Sequence, residues 1–95
     1  LITRRLVLRI TPFADDPALY RLQVEGRLAG DSANEILRQE LARGEAQTRP
    51  VVVDLSGMRF ADEQAVAVLL AAAERGVTLA NCSPWLSSLL EGSGR

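Results

Sequence analysis

Residues 51–72 read VVVDLSGMRFADEQAVAVLLAA, and the fold turns on how this stretch is divided. Val51, Val52 and Val53 show no alternation with polar residues. A short unbroken β-branched run suits an interior parallel strand flanked on both sides, as a strand-helix-strand crossover requires. Asp54 reads as the end of that strand, with Asp54 and Ser56 satisfying backbone amides in a turn and Gly57 supplying a conformation that other residues adopt at a cost. Phe60 is expected to pack under this turn. Asp62 reads as the cap of a second helix with an acidic first turn, and Val66, Leu69, Leu70 and Ala73 form its apolar stripe. Ala65, Ala67, Ala71 and Ala72 keep the helix slim, and Gly76 stops it.

Upstream, Tyr20, Leu22, Val24, Gly26 and Leu28 alternate strictly with Arg21, Gln23, Glu25 and Arg27, which is a strand with one wet face. The first ten residues alternate less cleanly, and the loop TPFADDPA joins them to this strand as an antiparallel hairpin, with Arg5 and Arg9 positioned to face Glu25. Phe13 falls in the loop. A capping box of Ser32 and Glu35 places a helix start at Asp31 or Ser32, with Ile36, Leu37 and Leu41 as its buried face and an end near Gly44. Downstream, VTLANC reads as a short strand. Ser83 then caps a last helix with Pro84 at its first position and Gly92 just past its end. Trp85, Leu86, Leu89 and Leu90 share one side of that helix, which places the tryptophan in the core. The order is strand, strand, helix, strand, helix, strand, helix.

Ninety-five residues, 47% of them hydrophobic, suffice for one small domain over 1–95 without disulfide staples. The formal net charge of −1 is spread along the chain, with no block of like charge to form a nucleic-acid or membrane footprint. No apolar stretch approaches the roughly 20 residues that cross a bilayer, and the first residues lack the order of a signal peptide. There is no histidine, and all 11 basic residues are arginine. An ordinary catalytic triad, an imidazole metal ligand, a Schiff-base lysine and a P-loop are therefore excluded. Arginine in place of lysine, with abundant alanine, fits a GC-rich bacterial gene. The single cysteine, Cys82, cannot form a disulfide within the chain; it reads as a small buried apolar side chain in a reducing cytoplasm.

Three chemical readings of residues 54–64 compete with a structural one. A phosphoacceptor aspartate at Asp54 would need an acidic pair after the first strand and a later lysine, and the chain has RITP and no lysine. A metal site from Asp54, Asp62 and Glu63 has no motif spacing. Catalysis by a carboxylate pair has no oxyanion donor beside it. No metal, cofactor or catalytic residue is expected, though an enzyme stays open as a remote alternative.

The stretch VVVDLSGMRFADEQAVAVLLAA resembles the signature of the STAS domain family, the sulfate-transporter and anti-sigma-factor-antagonist domains. That pattern is a β-branched run, D-L-S-G, an aromatic, then D-S-S-G-L and an apolar helix. VEGRLAGDSANEIL is similar to the family's second strand and first helix, and VTLANCSPWLSSLLEG to its closing strand and helix, so the resemblance covers about residues 19–92. It implies an α/β fold, a superhelical sheet of four strands with an N-terminal antiparallel hairpin, the rest parallel, and three helices. It also implies a cytoplasmic, non-enzymatic docking module.

In regulated members, the serine after the helix-capping aspartate is phosphorylated by a partner kinase, which abolishes binding. Glu63 stands there in this chain, Gln64 replaces the second serine and Ala65 the following glycine. A carboxylate cannot accept phosphate, and it carries one negative charge against roughly two. The resemblance implies a partner surface at Arg59, Asp62, Glu63 and Gln64 without a serine switch. Glu63 has an equally available structural reading, since an acid in a first helical turn is stabilised by the helix dipole by about 0.3 to 1 kcal/mol. Two partners remain open: an anti-sigma-factor kinase, and a transporter ATPase of the lipid-moving kind to which the domain is an accessory subunit.

Overall fold

A computed structural model describes residues 8–13 and 16–93. The elements run β1 (Leu8–Phe13), β2 (Tyr20–Leu28), α1 (Asp31–Glu45), β3 (Val51–Ala61), α2 (Glu63–Glu74), β4 (Thr78–Ala80) and α3 (Pro84–Ser93). The sheet order is β1-β2-β3-β4; β1 runs antiparallel to β2, and the other pairs are parallel. This is the expected α/β architecture. Arg9 sits opposite Glu25 as anticipated, whereas Arg5 lies outside the described residues. Thr11, Pro12 and Phe13 are not a loop but extend β1, paired with Gln23, Leu22 and Arg21.

The two parallel crossovers step the same way across the sheet, so their right-handed connections put α1 and α2 over one face. α1 packs on α2, and α2 on α3. Leu22, Val24 and Leu28 of β2 meet Leu37 and Leu41 of α1, and Val66 and Leu69 of α2, in one buried cluster that also takes in Leu86 of α3. The alternation read in β2 is thus its in-and-out pattern, and Arg21, Gln23 and Glu25 line the sheet's other face.

Two expectations about residues 54–61 are corrected. The strand does not end at Asp54 but runs to Ala61, and Ser56 and Gly57 lie inside it. The turn-like sequence makes bulges. Leu55 and Ser56 lie against the single residue Val24, and Arg59 is an extra residue between the pairs Gly26–Met58 and Arg27–Phe60. Each bulge advances the inward phase by one residue, which is why Val51, Val53, Leu55, Met58 and Ala61 are all buried. Phe60 accordingly faces out, 37% exposed, with the Arg27 guanidinium 4.4 Å from its ring centre. β4 pairs only with Val52, Val53 and Asp54, leaving the bulged half of β3 as a sheet edge. Bulges on such an edge oppose pairing with a foreign strand.

The helices are rotated from their expected faces. In α1, Ala33, Asn34, Leu37 and Leu41 are buried and Ile36 is 48% exposed. In α2 the buried set is Ala65, Val66, Val68, Leu69 and Ala72, with Leu70 half-buried and Ala73 exposed. Ala65 and Ala72 are contacts rather than mere spacers, because their small side chains let α2 lie close to its neighbours, whereas Ala67 and Ala71 are exposed. In α3, Leu86 is fully buried while Trp85 and Leu89, one position round the helix, are 38% and 42% exposed. The tryptophan is therefore a surface residue. Gly92 falls inside α3, and Ser83 precedes it with its carbonyl accepting from the Ser87 N–H at 2.9 Å. The Ser83 hydroxyl is buried without a partner among the described residues, so the expected side-chain cap is not formed. Cys82 is half-buried against the core, where burial pushes its thiol pKa up.

Candidate functional site

At one end of the sheet, β2 and β3 finish side by side and feed the starts of α1 and α2. The Asp62 N–H donates to the carbonyl of Leu28 at 3.1 Å, which brings the residue after β3 level with the last residue of β2. Asp62 is the N-cap of α2, as its place before an apolar helix foretells; its Oδ1 accepts from the Ala65 N–H at 2.8 Å. The same carboxylate reaches the other helix. Its Oδ2 accepts from the Gly30 N–H at 2.9 Å, and Oδ1 accepts from Asn34 Nδ2 at 3.3 Å.

One aspartate therefore organises both helix starts. The Gly30 N–H, more than the opposing effect of burial, holds the Asp62 carboxyl below its ordinary pKa, with Ala65 and Asn34 adding to it. Gly30 is the N-cap of α1, so the expected capping box from Ser32 and Glu35 does not form, and Ser32 is already the second helical residue. Glu35 instead faces Arg38 at 3.3 Å. Gly30 has φ 90, a value that glycine adopts freely and L side chains rarely do.

Sequence reasoning missed Gly30 and Asn34. Asn34 is 0% exposed; its amide nitrogen also donates to the Gly30 carbonyl at 2.8 Å, while its Oδ1 is buried without a partner among the described residues. The available signal was a polar residue inside an apolar helical face. With Ala33, Leu37 and Leu41 taken as the stripe, Asn34 falls on it and Ile36 falls off it.

The remaining candidates divide into three groups. Glu63, the first residue of α2, is exposed, as is Arg59 on the bulged end of β3. Gln64 is half-buried and binds across to α1; with its amide oriented to satisfy both atoms, the nitrogen donates to Asp31 Oδ1 at 3.2 Å and the oxygen accepts from Arg38 Nη2 at 3.0 Å. Asp54, Ser56 and Gly57 lie farther back along β3, where Ser56 and Gly57 line an open hollow on the outer sheet face together with Arg59, Arg9 and Glu25. Asp54 Oδ1 accepts from the Ser56 N–H at 2.9 Å and so holds the first bulge. Burial pushes the Asp54 carboxyl up, but hydrogen bonds from the backbone and hydroxyl of Ser56 and from Asn81, with the charge of Arg21, outweigh it and leave the pKa lowered. Gly57 leaves room for the neighbouring strand, since a Cβ there would lie 2.8 Å from Glu25 Cγ.

Chemically the arrangement offers a rigid platform and little reactivity. Asp54, Asp62 and Glu63 are not gathered into one cluster, and among the described residues no three potential ligands converge on a metal position. The lowered carboxyls are held by hydrogen-bond donors that stabilise their charged forms, the reverse of what a general acid requires. No helix among the described residues is long and apolar enough to cross a membrane.

Comparison with known proteins adds one match. A family model described as "Mlab, STAS domain" matches residues 13–94, which include every element from β2 to α3. No curated protein matches the chain. STAS domains are generally non-catalytic binding domains that mediate protein interactions. With the signature of residues 51–72 now placed on β3 and α2, and the match extending over most of its length, the chain belongs to the STAS domain family.

Proposed function

We propose that this domain is a non-catalytic docking module, anti-sigma-factor-antagonist-like, that binds a protein partner through Glu63, Gln64 and the start of α2, with Arg59 set apart in the hollow it shares with Arg9. The observation that carries the reading is the division of labour at adjacent positions. Asp62 is consumed in holding Gly30, Asn34 and Ala65, whereas Glu63 stands exposed beside it on a helix start that cannot shift without breaking those bonds. Side chains presented by a rigid scaffold commonly carry function. Asp62 shapes the surface rather than touching the partner.

Glu63 and Gln64 offer no hydroxyl where the family's serines stand, so docking here runs without the usual serine phosphoswitch. That same feature favours a second reading, an accessory subunit of a transporter ATPase, which needs a permanent interaction. The first reading places the domain in bacterial cytoplasmic signalling; the second places it on a membrane complex without inserting it.

Site-specific photocrosslinking tests the surface. A benzoylphenylalanine at position 63, introduced into the chain in the cells that make it, should yield one dominant adduct, and the same group at position 9 on the outer sheet face should not. An adduct from position 9 with none from 63 would contradict the reading. The identity of the adduct, kinase or ATPase, separates the two partners.

A further inference from the structure

The exposed Ile36 lies beside the site just described. Together with Asp31, Ser32, Glu35, Arg38 and Gln64 it lines an open hollow between the first turns of α1 and the start of α2. A single exposed aliphatic residue needs no explanation by itself. Its surroundings give it one. Gln64 bridges Asp31 and Arg38 across the hollow, which ties the start of α2 to α1 and lowers the ordering entropy that binding would cost. The lining is unbalanced in charge: its one cation, Arg38, is taken by Glu35 at 3.3 Å and by the Gln64 carbonyl, while Asp31 in the lining, and exposed Glu63 next to Gln64 in the chain, meet no arginine among the described residues.

We infer that this hollow receives one apolar side chain of a partner protein, flanked there by lysine or arginine residues that meet Asp31 and Glu63. This deepens the docking reading above and rests on it. An apolar contact ringed by polar groups that exclude water is the usual anatomy of an interface anchor. The charge selects among occupants. A second copy docked through the same patch would set Asp31 and Glu63 against their own counterparts, since a two-fold contact brings identical surfaces together. Anionic lipid headgroups and nucleic acid meet the same repulsion. A basic protein surface is the complementary one.

The probe is a phage-displayed library of random 12-residue peptides, panned on the 95-residue chain with counter-selection on the Ile36→Arg variant. Ile36 is half-exposed, so the substitution is expected to leave circular dichroism and thermal melting unchanged. Enriched peptides should carry Leu, Ile, Met or Phe with at least two Lys or Arg within about four residues, the reach of one helical turn. Fluorescence anisotropy should show their affinity falling at least about tenfold with Ile36→Arg, falling again with Glu63→Arg, and unchanged with Trp85→Ser on α3. Enrichment of acidic or uncharged peptides, binding that follows Trp85 instead, or failure to enrich any peptide that depends on Ile36 would each overturn the inference. The docking reading fails separately. If Glu63→Arg weakens the natural partner while Ile36→Arg does not, the site stands and only the apolar anchor falls; if neither variant weakens it, the site itself is misplaced.

Discussion

Asp62 shows how a single side chain can serve as both helix cap and tie between elements. Replacing it with alanine strands the amides of Ala65 and Gly30 and frees Asn34, so Asp62→Ala should cost about 2 kcal/mol, the upper end of the range for a lost cap. Glu63→Gln, at an exposed position, should stay within about 0.5 kcal/mol. Denaturant midpoints check both, and equal losses would give Glu63 a structural role that its exposure does not suggest. The pH dependence follows from the same bonds. Because the Asp62 pKa is lowered on folding, its contribution is complete above the unfolded value, about 3.9, and disappears as pH falls through the folded value. Asp62→Asn should therefore lose less stability than the wild type between about pH 5 and about pH 2. The acid limb should become shallower without vanishing, since Asp54 and Glu45 are lowered too, Glu45 chiefly by its hydrogen bond from Arg75. This residue's cap was legible from its position before an apolar helix; its bonds to Gly30 and Asn34, 32 and 28 positions away, have no local signal.

At the scale of the element, β3 departs most from what its residues advertise. Asp54, Ser56 and Gly57 are turn-forming types, and their local preference is met by a bulge within the strand instead of by a chain reversal. Once Val24 and Leu55 are committed to the core, the pairing with β2 carries the strand on to Ala61, a long-range contact that a local pattern cannot announce. The helices were legible in type and extent, less so in rotation, because alanine counts weakly as an apolar residue although Ala65 and Ala72 are as fully buried as Leu69 in α2. Close approach also governs α1, where Gly44 is buried against β2 and β3. A Cβ at that position would lie 2.7 Å from Tyr20 Cδ1 and 3.3 Å from Val51 Cγ2. Gly44→Ala gains up to about 1 kcal/mol in helix propensity, but overpacking of a fixed ring costs about 1 to 3 kcal/mol. The net should be a loss, read as a lowered melting temperature. A stabilised variant would mean that Tyr20 can swing aside and that α1 is less tightly docked than its contacts imply.

Across the whole molecule, α1 and α2 cover one face of the sheet and their starts meet through Asp62 at one end of it, while α3 packs on α2. The element order, the antiparallel start and the parallel remainder were readable because period-two alternation in β2 and the unbroken valines of β3 report how many faces and neighbours each strand has. The candidate surface was readable only in part. The family signature points to Glu63, but the exposure of Ile36 and the engagement of Gln64 with α1 depend on how two helices are turned toward each other. If this end of the molecule is the docking site, the outer sheet face is not needed for the proposed partner. Isothermal titration of the purified crosslinked partner against wild type, Glu63→Arg and Arg9→Glu tests it most directly, with melting curves confirming that all three are equally folded. Glu63→Arg should weaken binding at least about tenfold, or about 1.4 kcal/mol, and Arg9→Glu should leave it unchanged; loss of binding with Arg9→Glu and full affinity with Glu63→Arg would put the partner on the outer sheet face instead.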